Sequence, residues 1–318
     1  MFPHLLNPLI LPHKLPNMKP LFFLTISLLF MACNQQSSTP APTYDETLLN
    51  KVRSAGMAIP GSLPASIHYI KYASSIRKWS DIVEDGGDDP CTMARTAFQI
   101  VFEKSYIMVD AGMDRAVHHF FEKDSPQPFD DTVASRVAAA VQNAQMILVT
   151  HEHGDHVTGV IRNASDAVAA KTMLTSEQIQ TLINEPQMPE IKLDENRAKQ
   201  YINVSFESVL PVAPGVVLIK APGHTAGEIM IYTRLQNGKE YIFTGDVTWS
   251  FKGVQEKKPK PSSERKRIGE EGNLVEDQLA WLHERLNRDK MVILVSHDDI
   301  MLPQYAAQGL ITSGLMHY

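Results

Sequence analysis

The segment Thr150-His151-Glu152-His153-Gly154-Asp155-His156 places four side chains able to hold a metal ion within six residues. His151 and His153 are two apart, so in an extended chain they point to the same side. Gly154 allows a sharp turn. Asp155 and His156 follow that turn and can address a second, nearby point. Neutral imidazole and carboxylate are good ligands for Zn²⁺ and similar divalent ions. The helical zinc-protease spacing is absent, because Asp155 stands where its second histidine would fall. One local cluster cannot close two sites, so distant ligands are required. His224 follows the apolar run Val216 to Lys220, Asp246 follows Tyr241 to Phe243, and His297 follows Met291 to Val295. Each lies just past a strand's C-terminal end, where catalytic loops gather in α/β proteins. His68, His118, His119 and His283 stand apart from this pattern and read as structural or surface histidines; Glu152 reads as a supporting or solvated carboxylate.

The elements that must position these residues are readable from periodicity. Strands are expected over Ser66 to Tyr72, Thr96 to Glu103 and Tyr106 to Asp110, the last two joined by a turn at Lys104-Ser105. Met146 to Thr150 is a short apolar strand of the kind buried on both faces, and it runs into His151. Val216 to Lys220, Ile229 to Thr233, Tyr241 to Phe243 and Met291 to Val295 read as further strands. Helical spacing marks Asp131 to Gln145, Ser176 to Ile183 with Ser176 as N-cap, and Leu274 to Leu286. Two groups of strands with accompanying helices suggest packed sheets with helices outside.

His151-x-His153-x-Asp155-His156, followed by His224, Asp246 and His297, resembles the ligand set of the metallo-β-lactamase-fold superfamily, in order and in strand-end context, from about residue 66 to 300. The resemblance implies an α/β protein with an αββα sandwich and a dinuclear centre. It assigns His151, His153 and His224 to one metal, Asp155, His156 and His297 to the other, and Asp246 to a bridging position. Asp110, in Val109-Asp110-Ala111-Gly112, matches a strand-end aspartate that steadies a ligand from behind. The implied cofactors are two divalent ions; Zn²⁺ suits the ligands best, and Mn²⁺, Fe²⁺ or Co²⁺ can occupy the same groups.

The implied activity is a metal-dependent hydrolase that uses metal-bound hydroxide on an ester, lactone or amide carbonyl, with Asp155 and Asp246 at the reacting centre. Coordination lowers a water pKa from 15.7 to about 7 and supplies the nucleophile. A phosphodiesterase acting on nucleotides or phospholipids is the second reading, and non-hydrolytic metal binding or iron-dependent oxygen chemistry the third. Sulfur-dioxygenase relatives lack a working second site, whereas this chain keeps its residues. Acyl-homoserine lactonases carry a tyrosine three residues after the bridging aspartate; here Trp249 stands there, and indole offers only an N–H donor. Residues 252–267 hold Lys252, Lys257, Lys258, Lys260, Arg265, Lys266 and Arg267, which reads as a solvated loop or as a flap attracting anionic substrates.

The chain has 318 residues, is 43% hydrophobic and 21% charged, and shows no internal repeat, so one sizeable domain is expected. A net charge of −6 argues against general nucleic-acid binding, and the resemblance implies a small-molecule substrate as the partner. Met18-Lys19-Pro20, the apolar run Leu21 to Ala32 and then Cys33 read as an export signal ending in a sequence similar to a bacterial lipobox. The run falls short of the ~20 apolar residues that span a membrane. The expected organisation is a signal over 1–33, with translation starting at Met18, a tether and lead-in over 34–60, and a catalytic domain over 61–318. Lipidation of Cys33 would hold the exported protein to a membrane, on its periplasmic or cell-surface side. Cys91, the other cysteine, then has no disulfide partner.

Overall fold

A computed structural model describes residues 41–122, 126–162 and 164–317. Cys33 and the apolar run before it lie outside these residues. No helix among those described is long and apolar enough to cross a membrane.

Among the described residues, twelve strands form two sheets. The first comprises β1 (Ser66–Lys78), β2 (Pro90–Val101), β3 (Tyr106–Val109), β4 (Met146–Leu148), β5 (Thr172–Thr175) and β6 (Ile202–Val204). The second comprises β7 (Val209–Ala213), β8 (Val216–Lys220), β9 (Ile229–Arg234), β10 (Glu240–Phe243) and β11 (Val292–Leu294). The last strand, β12 (Thr312–Ser313), returns to the first sheet beside β1, giving the orders β12-β1-β2-β3-β4-β5-β6 and β11-β10-β9-β8-β7. β1, β2 and β3 run antiparallel, and β3 to β6 run parallel.

The alternation of side chains across a strand builds the layers. Phe98, Ile100, Ile107, Val109 and Leu148 face the second sheet and meet Leu218, Ile231 and Phe243. Phe98 and Phe243 pack edge to face across the seam, with centroids 5.3 Å apart. Their sequence neighbours Ala97, Val101, Tyr106, Met108, Ile147 and Val149 point the other way, onto Val137, Ala140 and Val141 of the helix Asp131–Asn143 and onto Val157 and Val160 of Gly154–Ile161. The second sheet is covered in turn by the helices Glu46–Gly56 and Gly272–Asn287, so the order is helix, sheet, sheet, helix. This is the αββα sandwich.

Several boundaries move, each for a physical reason. β1 runs past its expected end at Tyr72 to Lys78, and β2 begins at Pro90 rather than Thr96, because the two keep pairing with each other beyond the rest of the sheet. The helix Ser176–Asn184 is capped by Thr175, not Ser176. The Thr175 hydroxyl accepts from the Gln178 amide, and the Gln178 side chain returns a bond to the Thr175 amide. The buried face of Gly272–Asn287 centres on Val275, Leu279 and Leu282 rather than Leu274 and Leu286, and it carries a buried Arg285 that pairs with Asp289 at 3.0 Å. Residues 251–256 and 262–268, read as loop or flap, are helices.

The span 34–60, expected to be tether and lead-in, contains a helix with a structural role. Asp45 caps Glu46–Gly56, and Leu48, Leu49 and Val52 enter the core shared by the two sheets. Truncation of Leu49, which is fully buried, leaves a cavity. Leu49→Ala is expected to lower unfolding free energy by about 2–5 kcal/mol in denaturant titration. A loss below about 1 kcal/mol would mean that the helix adds little to the core.

Candidate metal centre

The site forms where β3, β4, β8, β10 and β11 end. β4 continues through Val149 and Thr150 to His151. His153 is the N-cap residue of Gly154–Ile161, so Asp155 and His156 fall in that helix's first turn, where a carboxylate is favoured by the helix dipole. The first sheet thus supplies His151, His153, Asp155, His156 and Asp110. The second supplies His224 beyond β8, Asp246 beyond β10 and His297 beyond β11. A β-bridge between Met93 and Asp298, and a bond from the Ala94 amide to the His297 carbonyl (2.9 Å), stitch the sheets together beside the site.

The candidate ligands converge as two groups. His151 Nε2 lies 3.1 Å from His153 Nδ1, which lies 3.0 Å from His224 Nε2. His156 Nε2 lies 3.3 Å from His297 Nε2, and Asp155 Oδ2 is 3.7 and 3.5 Å from these two nitrogens. Asp246 lies between the groups. Its Oδ2 is 3.5 Å from His224 Nε2 and 3.8 Å from His151 Nε2, while its Oδ1 is 3.0 Å from His297 Nε2 and 3.4 Å from His156 Nε2. Two nitrogens sharing a tetrahedral zinc at 2.0–2.1 Å are ~3.3 Å apart, close to the nitrogen spacings seen here. Asp246 Oδ1 is buried without a hydrogen-bond donor. That orphaned carboxylate oxygen, set among imidazole nitrogens, fits a shared cation. The arrangement is consistent with a dinuclear divalent-metal site.

The outward nitrogens of three imidazoles meet acceptors, which turns their other lone pair inward. His156 Nδ1 donates to Asp110 Oδ2 at 2.8 Å, His297 Nδ1 to the Ala94 carbonyl at 2.6 Å, and His224 Nδ1 to Glu270 Oε2 at 3.1 Å. Asp110 adopts φ 62°, a left-handed conformation that aspartate tolerates better than most residues. Its Oδ1 also accepts from the Thr150 amide at 2.8 Å, which ties β3 to the start of the ligand loop.

Asp246 is held from several sides. Glu228 Oε1 accepts from the Asp246 amide (2.7 Å), and Trp249 Nε1 donates to Asp246 Oδ2 (2.7 Å). Buried Lys260 donates to the Asp246 carbonyl and to Glu270 Oε2, both at 2.6 Å. Lys260 is therefore no part of a solvated flap. Gly245, at φ 54°, passes so close to the Glu228 carboxyl that a Cβ there would collide with Glu228 Oε1. Sequence spacing gives no sign of Arg95, Glu228, Lys260 or Glu270. Glu152 is buried rather than solvated, and it accepts from the Thr225 hydroxyl at 2.9 Å, bracing the loop that carries His224. His68 and His118 are buried and hydrogen-bonded to backbone carbonyls away from the centre.

Burial lowers the pKa of His151 well below its ordinary value, that of His153 to about 3, and that of His224. These rings are neutral, as ligands must be. Burial opposes charge on Asp246 too, yet His297, His156 and His151 hold it well below the usual carboxylate range. Burial alone would also keep His156 neutral. Asp110, Asp155 and Asp246 instead raise it to about 10. Negative charge concentrated enough to hold a proton there is charge that a divalent cation can replace it on. Glu228 is pushed well above its ordinary range, first by burial and then by Asp246.

The centre opens to a cavity of about 220 Å³. Its polar floor includes His153, Asp155, His224, Asp246 and His297, and Ile82, Met93, Phe120 and Trp249 form apolar walls. A second lobe of about 410 Å³ continues past His153 and His224, lined by Thr181, Glu185 and Gln187.

Two sheets face to face between helices, with clustered histidines and aspartates at the strand ends, define the metallo-β-lactamase-fold class of metal-dependent hydrolases. The family model for the metallo-beta-lactamase superfamily matches residues 94–297. The chain belongs to that superfamily and is an enzyme, a metal-dependent hydrolase. No curated protein matches its sequence. An N-acyl homoserine lactone hydrolase, solved with the product N-hexanoyl-L-homoserine at its catalytic metal centre, is similar in fold with a TM-score of 0.60. It is 16% identical, and the match covers 76% of this chain and 96% of that one. A hydrolase from Staphylococcus aureus, described as a probable metal-dependent enzyme, matches at TM-score 0.58 and 13% identity, over 76% and 91% of the two chains. A dizinc quorum-quenching lactonase in complex with N-hexanoyl-homoserine product matches at 0.51 and 14%, over 72% and 86%.

Asp110→Asn preserves an acceptor for the Thr150 amide and tolerates the left-handed backbone, but it can present an N–H to the His156 N–H. Affinity for one of two metal equivalents is expected to fall about 10- to 100-fold, read by calorimetric zinc titration. Unchanged binding of both equivalents would remove Asp110 from the centre's support.

Proposed function

We propose that this protein hydrolyses a carbonyl compound (an ester, lactone or amide) at a dinuclear centre. His151, His153 and His224 would hold one ion, Asp155, His156 and His297 the other, and Asp246 both. The observation that carries this reading is the Asp246 carboxylate, with one oxygen turned to each histidine group and Oδ1 lacking a donor. Zn²⁺ fits the nitrogen-rich first group best. When bound, such ions polarise an acyl oxygen and lower the pKa of water.

The chain's own residues account for the rest. Burial keeps His151, His153 and His224 in the neutral form that binds a cation. Asp155 stays ionised despite its burial, through His156, Arg95 and His297, and it stands on the cavity floor beside the reacting position. Ile82, Met93, Phe120 and Trp249 offer an apolar surface to an acyl group. Trp249 bears on the choice of substrate. Its single N–H is taken by Asp246 Oδ2, so it cannot also donate to a substrate carbonyl as a tyrosine hydroxyl could. Lactone hydrolysis by the similar folds supports carbonyl chemistry in general more than it supports an acyl-homoserine lactone in particular.

The proposal extends to location: export, with lipidation of Cys33 holding the catalytic domain at a membrane. In a bacterial host, Cys33→Ser is expected to move the protein from the membrane to the soluble fraction. Unchanged partition would exclude the lipid anchor.

The central test is metal analysis of the purified protein, with aryl esters, lactones, amides and phosphodiesters assayed before and after chelation. About two metals per chain are expected, with carbonyl hydrolysis lost on chelation and restored by zinc. His151→Ala and Asp246→Ala should each lower kcat/KM by about 10²- to 10³-fold, the scale of losing an electrostatic catalytic element. Faster phosphodiester than carbonyl turnover, or full activity in both variants, would overturn the reading.

A further inference from the structure

Three arginines line the cavity over the metal centre, and their surroundings differ. Arg267 is bonded through Nε and Nη2 to Glu264, so its charge is balanced locally. Arg95 is buried, with Nε 3.1 Å from Asp155 Oδ2 and its guanidinium over the Phe121 ring at 5.1 Å. Arg77 has no such balance. Its Nη1 donates to the Ile76 carbonyl at 3.0 Å and its Nη2 to the Phe121 carbonyl at 2.7 Å. Among the described residues, no carboxylate lies within 4.0 Å of its guanidinium. Asp81 and Glu264 line the same cavity but act on Arg77 only at longer range.

Strand pairing makes this placement a built feature. In the β1–β2 arm, Ala73 pairs with Arg95, Ser75 with Met93 and Arg77 with Cys91. Arg77 and Arg95 therefore project from the same face of the arm, and Phe121 anchors both. Burial, then the charge of Arg95, lowers the pKa of Arg77. Two like charges on one wall oppose each other unless an anion compensates them. Ile82, Met93 and Phe120 give the cavity an apolar stretch, beside the polar lining of Asp81, Glu264 and Gln187.

We infer that this wall is an anion subsite: the substrate carries, apart from its scissile acyl bond, a carboxylate or phosphate that Arg77 grips within the field of Arg95. This rests on the hydrolase reading above and adds the substrate class to it. A guanidinium offers paired donors to either anion. An apolar stretch between anion and acyl carbon would lie along the Ile82, Met93 and Phe120 wall.

The test uses the full-length, metal-loaded protein. Aryl esters share one alkyl spacer that ends in methyl, carboxylate or phosphate, in several spacer lengths. At the best length, an anionic ester is expected to exceed the methyl ester in kcat/KM by about tenfold, and the better anion identifies which group the site takes. Arg77→Met should abolish that ratio mainly through KM, and Arg77→Lys should restore part of it. In parallel, calorimetry compares linear dicarboxylates with monocarboxylates of equal length. The second carboxylate should improve affinity about tenfold, equivalent to 1.4 kcal/mol, and Arg77→Met should remove the gain. Absent turnover of every ester with the binding difference intact would defeat the hydrolase reading and spare the subsite. Turnover with no anion preference, or a ratio unchanged in Arg77→Met, would defeat the subsite alone.

Discussion

Asp246 is a fully buried carboxylate shared by two groups of imidazoles, and much of the surrounding structure serves to keep it there. Removing such a charge from water is costly unless every exposed valence is met. Glu228 accepts from its amide, Trp249 donates to Oδ2, and Lys260 donates to its carbonyl. Lys260 brings a buried charge of its own, which Glu270 balances at 2.6 Å, and Glu270 also fixes the ring of His224. The requirement of one side chain thus propagates through the loops after β8 and β10 and into residues 260–270. Buried networks of this kind fix geometry in proportion to how fully they are satisfied; here Asp246 Oδ1, Glu228 Oε2 and Glu270 Oε1 are the carboxylate oxygens left without a hydrogen-bond partner.

The centre also depends on where the sheets sit. Neither sheet carries a complete group of candidate ligands: His224 comes from the second sheet to join His151 and His153, and His297 to join Asp155 and His156. Their separation is set by the packed seam of aliphatic and aromatic side chains, including the Phe98–Phe243 contact. Close-packed interiors resist compression and transmit displacement. The spacing of the candidate ligands is therefore a property of the core as much as of the loops. The long β1–β2 arm stands partly outside this arrangement. It supplies Arg77 and Met93 to the cavity wall without carrying any of the histidine or aspartate ligands.

What the sequence made legible follows from how local each signal is. The cluster from His151 to His156 is contiguous, so residue type and spacing alone suggest a metal-binding turn. His224, Asp246 and His297 were visible because each follows a strongly apolar strand. The sandwich followed from the same strands. Arg95, Glu228, Lys260 and Glu270 left no such trace. Each acts through a contact between distant segments, and a lone lysine in a basic stretch looks like any solvated lysine. The helix Ser176–Asn184 was evident, but its cap was displaced by one residue, because Thr175 and Ser176 are both capable caps and only the Gln178 contact separates them. The helix at 46–56 was missed because its short apolar stripe follows a polar, tether-like stretch.

Gly245 and Glu228 bear on how this protein can change over descent. With its backbone at φ 54° and the Glu228 carboxyl against its Cα, residue 245 cannot acquire a side chain while Glu228 remains. Loss of Glu228 would leave the Asp246 amide without its acceptor. Residue 245 is held to glycine by both the Glu228 carboxyl and its own left-handed backbone, and residue 228 is held to an acceptor by the Asp246 amide. The histidines would be fixed by the ions they hold, whereas this pair is fixed by a close backbone approach and one hydrogen bond. Lineages that arise from this chain should therefore diversify at the exposed positions of residues 262–268 before they alter the floor beneath Asp246.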